Sequence, residues 1–234
     1  MTIRNWVKFA FWAMLIGGGI NAIASLFIRW DFYKPFLSNG EIGEFLAAFV
    51  WMIFLGMTMS VIAQAGFFAY LTIHQVGVNL FKSLTLWNWV QVLIILIVLV
   101  DIIVFRFVPE ADGTRDWLIY GGLLVMLVGG AIATAKKKVQ MTNKPHILVP
   151  TMFFMIVVTS LEWIIALMGR TENIDTYVTL LLFPILAVNA YQILMLPKYN
   201  KQSEIDRKKL EERRKARQEA VNKAKETNEA NVAH

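Results

Sequence analysis

Leu84-Thr-Leu-Trp-Asn-Trp-Val-Gln-Val-Leu-Ile-Ile-Leu-Ile-Val-Leu-Val-Asp-Ile-Ile-Val-Phe-Arg-Phe-Val108 is the stretch that decides the fold. From Val92 to Val100 no side chain carries a polar atom, and then Asp101 interrupts the run. At about 1.5 Å per residue the segment is about 37 Å long, more than a hydrocarbon core of about 30 Å. Lipid offers no hydrogen-bond partner, so such a span has to be a helix that satisfies its own backbone. A carboxyl inside it costs about 2.5–3.5 kcal/mol at the centre and marks a functional candidate.

The rest of the 234 residues reads the same way. With 57% hydrophobic and only 17% charged residues and a mean hydropathy of +0.53, the composition is that of a polytopic membrane protein, not a soluble domain. The absence of cysteine removes disulfides, thiolate metal sites and a cysteine nucleophile. No His-Glu-x-x-His, Gly-x-Ser-x-Gly or phosphate-binding glycine loop is present, so no enzyme is expected. No cofactor is implied, and His74 and His146, at the inner ends of their spans, are not expected to hold a metal.

Six spans follow from the apolar runs, at about 9–28, 44–73, 84–108, 117–135, 147–168 and 177–196. The expected fold class is an all-α, six-helix transmembrane bundle over residues 1–198. A basic tail, helical or disordered, occupies 199–234. The first run follows a short basic start, and we read it as an uncleaved span because about 20 apolar residues exceed the core of a signal peptide. Gly17, Gly18, Gly19 and Ala22 give it a smooth packing face. Polar loops are expected at 29–43, with Trp30, Tyr33 and nearby Trp51 at the interface, at 75–83, and at 136–146. A turn is expected from Gly169 to Thr176, and Pro184 is read as a kink in the sixth span.

Charge gives the orientation. With the N-terminus cytoplasmic, the inner segments before the tail hold Arg4, Lys8, Lys82, Lys136, Lys137, Lys138 and Lys144. The tail raises the inner share to 18 of 23 basic residues. Lys136, Lys137 and Lys138 fix their loop inside and face anionic headgroups. Eight carboxylates, from Asp31 to Asp175, fall in the outer segments and none in an inner loop before the tail. Both termini are therefore expected in the cytoplasm, and the location is the plasma membrane. The tail, 11 basic against 7 acidic residues from Pro197, shows a weak capping box in Ser203 and Asp206. It lacks the aromatic interleaving that nucleic-acid binding needs.

Asp101 and Glu162 lie at about the same depth, roughly 10 Å inside the outer ends of their spans. If they face each other they form a proton or cation site. The plainer reading has each acid bonded to packing partners, or Asp101 reaching Arg106. Trp87, Asn88 and Gln91 continue polarity toward the inner end of the same helix. Gln64, His74, Asn189 and Gln192 lie at comparable inner depths. These are candidate interaction positions or amide glue between helices.

Gln64-Ala-Gly-Phe-Phe-Ala-Tyr-Leu-Thr-Ile-His74, Trp87-Asn-Trp-Val-Gln91, Leu161-Glu-Trp163 and Asn189-Ala-Tyr-Gln192, in that order, resemble the KinB-signalling pathway activation (KbaA) family of spore-forming Bacillus-type bacteria. Arg4-Asn-Trp6 fits as well, and the likeness runs to about Tyr199. The resemblance implies a non-enzymatic plasma-membrane protein that promotes a sensor histidine kinase pathway feeding the sporulation phosphorelay. Its expected partners are the kinase or the kinase's membrane partners, with anionic lipids at the inner face. It assigns no catalytic residue. The residues leave a second reading open: a small proton- or cation-coupled transporter or membrane sensor using Asp101 and Glu162.

Overall fold

Backbone arithmetic sets where the helices stop. Lys82 and Asn143 both adopt left-handed φ, 50° and 53°. Each donates its N–H to the carbonyl four residues back, Val78 and Val139, a frequent way of ending a helix. Ser83 then opens the next helix by accepting the Leu86 N–H at 3.3 Å, as an N-cap serine does. The structure, a computed structural model, describes residues 1–168 and 174–232. In chain order the helices are α1 (Ile3–Ile28), α2 (Trp30–Ser38), α3 (Ile42–Phe81), α4 (Leu84–Glu110), α5 (Thr114–Thr142), α6 (Pro145–Leu167) and α7 (Ile174–Val232). All but α2 make up the six helices long and apolar enough to cross a membrane. Residues 169–173 of the expected turn, Arg170 and Glu172 among them, lie outside the described residues.

Several boundaries differ from the sequence reading. The expected polar loop at 29–43 holds α2. Its Tyr33 is fully buried, the hydroxyl 3.1 Å from Ser25 Oγ and the ring edge-on to Phe32 and Phe45. Tyr33 is thus a packing residue. The expected loop at 75–83 shrinks to Lys82 and Ser83, because α3 continues to Phe81. Likewise α5 runs through the three lysines to Thr142. Charged tail residues also continue α7 without a break to Val232, so Ser203 and Asp206 sit inside a helix and cap nothing.

Prolines account for two further features. Pro109 has no N–H to give, and its ring crowds the carbonyl four residues back. Just ahead of it, Ile102–Phe107 winds as a π-helix, the Val108 N–H reaching the Ile103 carbonyl five residues back. In α7, Pro197 cannot supply the bond that the Ile193 carbonyl would receive in a regular helix. The Lys138 ammonium donates to that carbonyl instead. Lys138 is therefore buried, whereas Lys136 and Lys137 are exposed as expected.

Contacts divide the chain into two units, Ala10–Leu194 and a smaller one made by Met1–Phe9 with Met195–His234. In the larger unit, α1 crosses α3 at Gly17 and Gly56. A Cβ built on Gly56 would overlap the Gly17 carbonyl oxygen, so only glycine permits this approach. Asn21 Nδ2 donates to the Met52 carbonyl at 2.7 Å beside that crossing. The apolar core gathers Phe107, Tyr120, Leu127, Trp163, Leu181 and Ile185. Phe107 stacks on Tyr120 at 4.9 Å, and Trp163 Nε1 donates to the Val178 carbonyl at 2.9 Å. Outside, α4 exposes Leu93, Leu96, Ile97, Val100 and Phe105, while Gln91 is fully buried. Apolar out and polar in reverses the pattern of a soluble helix.

Candidate functional site

The turn of α6 that directly follows Phe153 is also a π-helix, Phe154–Val158, with the Thr159 N–H bonded to the Phe154 carbonyl. An extra residue in one turn re-aims every side chain that follows it. Thr159 and Glu162, three apart and so on one face, then point at α7. Asn189 Nδ2 donates to Glu162 Oε2 at 2.5 Å and to Thr159 Oγ1 at 2.9 Å. The carboxyl is 3% exposed. Its other oxygen, Oε1, rests against Gly66 of α3, where any Cβ would overlap it. A buried carboxyl is thereby enclosed by three helices.

That site is only partly satisfied by protein atoms. Glu162 Oε1 and Asn189 Oδ1 are buried without a protein partner, and so are both amide atoms of Gln192. Elsewhere, on α4, Asn88 Oδ1 and both amide atoms of Gln91 are unpaired as well. Gln192 follows Asn189 by three residues and shares its face. Each unpaired buried group costs about 1–3 kcal/mol. Such an interior can accept a proton, hold water or coordinate a small cation through oxygens.

The structure does not bring Asp101 to Glu162. Asp101 is exposed and lines a cleft of about 140 Å³ with Arg106, Trp163, Ile164 and Leu167. Around α6, those last three residues stand about 100–200° from Glu162. Among the described residues the Asp101 carboxylate makes no hydrogen bond and no ion pair, so the reach to Arg106 is not made either.

At the other end of α3 and α4 a second group forms. Trp87 Nε1 donates to His74 Nδ1 at 3.1 Å. The Trp87 ring lies on Gly77, 2.5 Å from where a Cβ would stand, and stacks on Phe81 at 5.6 Å. Tyr70 donates to the Pro150 carbonyl at 2.9 Å and packs on Phe154. His74 thus serves as an acceptor inside an aromatic cluster. Gln64 is half-buried and joins neither group.

The sequence reading missed Gly66, Gly77, Thr159 and Tyr70. Thr159 stands one turn before Glu162, a signal that was available. The glycines carried a weaker one, each being a lone small residue in a bulky run.

The small unit has its own polar cluster. Ser203 Oγ accepts the Thr2 N–H and Asn5 Nδ2, each at 3.0 Å. Asp206 Oδ2 accepts Asn5 Nδ2 at 2.8 Å and Arg4 Nη2 at 3.2 Å, and Oδ1 accepts Gln202 Nε2 at 3.1 Å. The Asn5 bond first, then Gln202 and the Arg4 charge, hold the Asp206 carboxyl below its ordinary range.

Comparison with known proteins gives a consistent result. The model of a family described as KbaA, KinB-signalling pathway activation in sporulation, matches residues 17–199. Over 199 residues the chain is 35% identical to the KinB-signaling pathway activation protein of Bacillus subtilis (strain 168), covering 85% of this chain and 98% of that protein. No solved structure matches.

Proposed function

The chain belongs to the family of KinB-signalling pathway activation proteins, and from that premise we propose that it is a non-enzymatic accessory protein of the plasma membrane that promotes a sensor histidine kinase pathway leading to sporulation. It acts through contacts within the bilayer or at its inner face, with both termini cytoplasmic and the phosphorelay downstream. The family match over residues 17–199, from the middle of α1 into α7, carries this reading. The apolar exterior of α4 around a buried Gln91 supports insertion in lipid, and the basic bias of the inner segments supports the orientation.

Crosslinking in native membranes, followed by detergent extraction and pull-down, tests the reading. Recovery of the kinase or its membrane partners is expected, and their absence from the recovered material overturns it. Labelling of single cysteines placed at Asn39 and at Lys201 tests the orientation, with only the first reachable from outside.

One observation favours the second reading, an ion- or proton-coupled sensor. Glu162 is 3% exposed and keeps one oxygen without a protein partner. On that reading Glu162→Gln abolishes sporulation at unchanged protein level. Normal sporulation in that variant removes it.

A further inference from the structure

The geometry points to a binding site for the phosphate group of an anionic phospholipid in the small unit, between the start of α1 and the charged stretch of α7. It rests on the membrane reading above but not on the kinase.

A cleft of about 400 Å³ is lined there by Thr2, Arg4, Asp206, Lys209, Leu210 and Arg213. Three cations against one carboxylate leave two positive charges at its wall. The carboxylate is already engaged: Asn5, Arg4 and Gln202 donate to its two oxygens. Asp206 therefore positions Arg4. Its one bond uses a single donor of the five on the Arg4 guanidinium, leaving the others for an anion. Lys209 and Arg213 are four apart and so neighbours on one face. Arginine presents a fork that fits phosphate, and lysine a point charge.

The acids of this stretch of α7 are kept off the cleft side. Taking Asp206 as the reference, Lys209, Arg213 and Arg217 fall within about 60° of it. Glu204, Glu211, Glu212 and Glu219 fall about 140–240° away, on the back of the helix, where Lys208 and Lys215 also lie. Acids interleaved on the cleft side would repel a phosphate.

Depth argues for a lipid. Phe9 and Tyr199 meet edge-to-face at 5.3 Å, and aromatic rings favour the edge of the apolar layer. Asp206 stands seven residues beyond Tyr199, about 10 Å farther along the helix, which is headgroup territory. Leu210 at the wall offers an apolar contact for the glycerol end. Lys209 and Arg213 lie outside residues 17–199, the part that matches the family model.

Binding of short-chain phosphatidylglycerol to the purified full chain in neutral detergent, followed by native mass spectrometry, tests the proposal. Two controls run beside it: phosphatidylcholine of equal chain length, and inorganic phosphate. Phosphatidylglycerol should bind more tightly than either. The double variant Lys209→Gln with Arg213→Gln should bind it about 30-fold more weakly, each lost charge near the surface being worth roughly a factor of five. Lys208→Gln with Lys215→Gln, exposed on the back of α7 and removing the same charge, should leave it unchanged. Arg213→Lys, which keeps the charge and the helix, should weaken it by less than the double variant. Equal binding by the two double variants overturns the proposal. So does phosphatidylcholine binding as tightly, and inorganic phosphate binding as tightly assigns the cleft to free phosphate. The assay contains no kinase, so its failure leaves the crosslinking result standing, and the reverse also holds.

Discussion

Asp101 and Glu162 are the two acids within the apolar runs, and the sequence places them at one depth. The structure gives them opposite surroundings. Glu162 is 3% exposed, bonded to Asn189 and seated on Gly66. Asp101 is exposed beside a cleft and bonded to nothing among the described residues. Depth follows from a fixed rise per residue, so it could be read from the chain. Which way a side chain faces depends on neighbours, and on an apolar helix like α4 no stripe announces the inner side. For Glu162 a π-turn, Phe154–Val158, intervenes as well. Intramembrane acids are therefore not equivalent candidates merely because they share a level.

The sharpest way to test this contrast is to fill the niche of the buried acid. Gly66→Leu places a side chain where Glu162 Oε1 lies. Overpacking a tight core costs about 1–3 kcal/mol and sometimes more, and the upper end, about 3 kcal/mol, is expected here. Thermal denaturation in detergent would show it, and an unchanged midpoint would mean that α3 does not hold the carboxyl. Glu162→Ala comes next. It strands the Asn189 amide and leaves a void, for a loss of about 2 kcal/mol. Glu162→Gln keeps an acceptor for Asn189 and should cost less than about 1 kcal/mol. A Gln variant as unstable as the Ala variant would show that the ionised form matters to the fold.

A third acid extends the comparison. All the bonds at Asp206 favour its charged form, and its carboxyl lies below the unfolded value of 3.8. A depressed folded pKa contributes stability that is complete above the unfolded value and is lost as pH falls through the folded one. The junction of the chain's two ends should thus hold at neutral pH and loosen only in strong acid. Spin labels at Lys8 and Lys201, both exposed, would report it as a broadened distance. In Asp206→Asn the distance should already be broad at pH 7, with no acid transition left. A wild-type transition near neutrality would contradict the assignment.

Much of the fold was legible because lipid leaves few options: long apolar runs have to be helices, and all six were found. The ends were not. Lys82 and Asn143 end helices through left-handed φ, which no hydropathy pattern shows. Loops were expected wherever polarity rose, yet Lys136, Lys137 and Lys138 are helical. Lys138 is buried because Pro197, far away in sequence, frees the carbonyl it binds. The site was half legible. Glu162, Asn189, Trp87 and His74 were singled out, and each meets another of that set, but the pairings came only with the packing. The glycines that shape both groups, Gly66 and Gly77, were invisible because their role lies in what they lack.

The smallest expected effect is the one that most tests the contrast. Asp101→Asn removes a charge that touches no partner, in a side chain that is exposed. Surface substitutions without partners usually stay within about 0.5 kcal/mol, so its denaturation midpoint should match the wild type. In a bilayer the same change has a reason to stabilise, since a neutral amide costs less than a carboxylate at that depth. The informative result is therefore the sign of the shift on moving from detergent to nanodiscs. An increase in nanodiscs alone identifies Asp101 as a lipid-side acid. A decrease in both media would mean that the carboxylate has a partner within the bundle after all, and the two acids would again be alike.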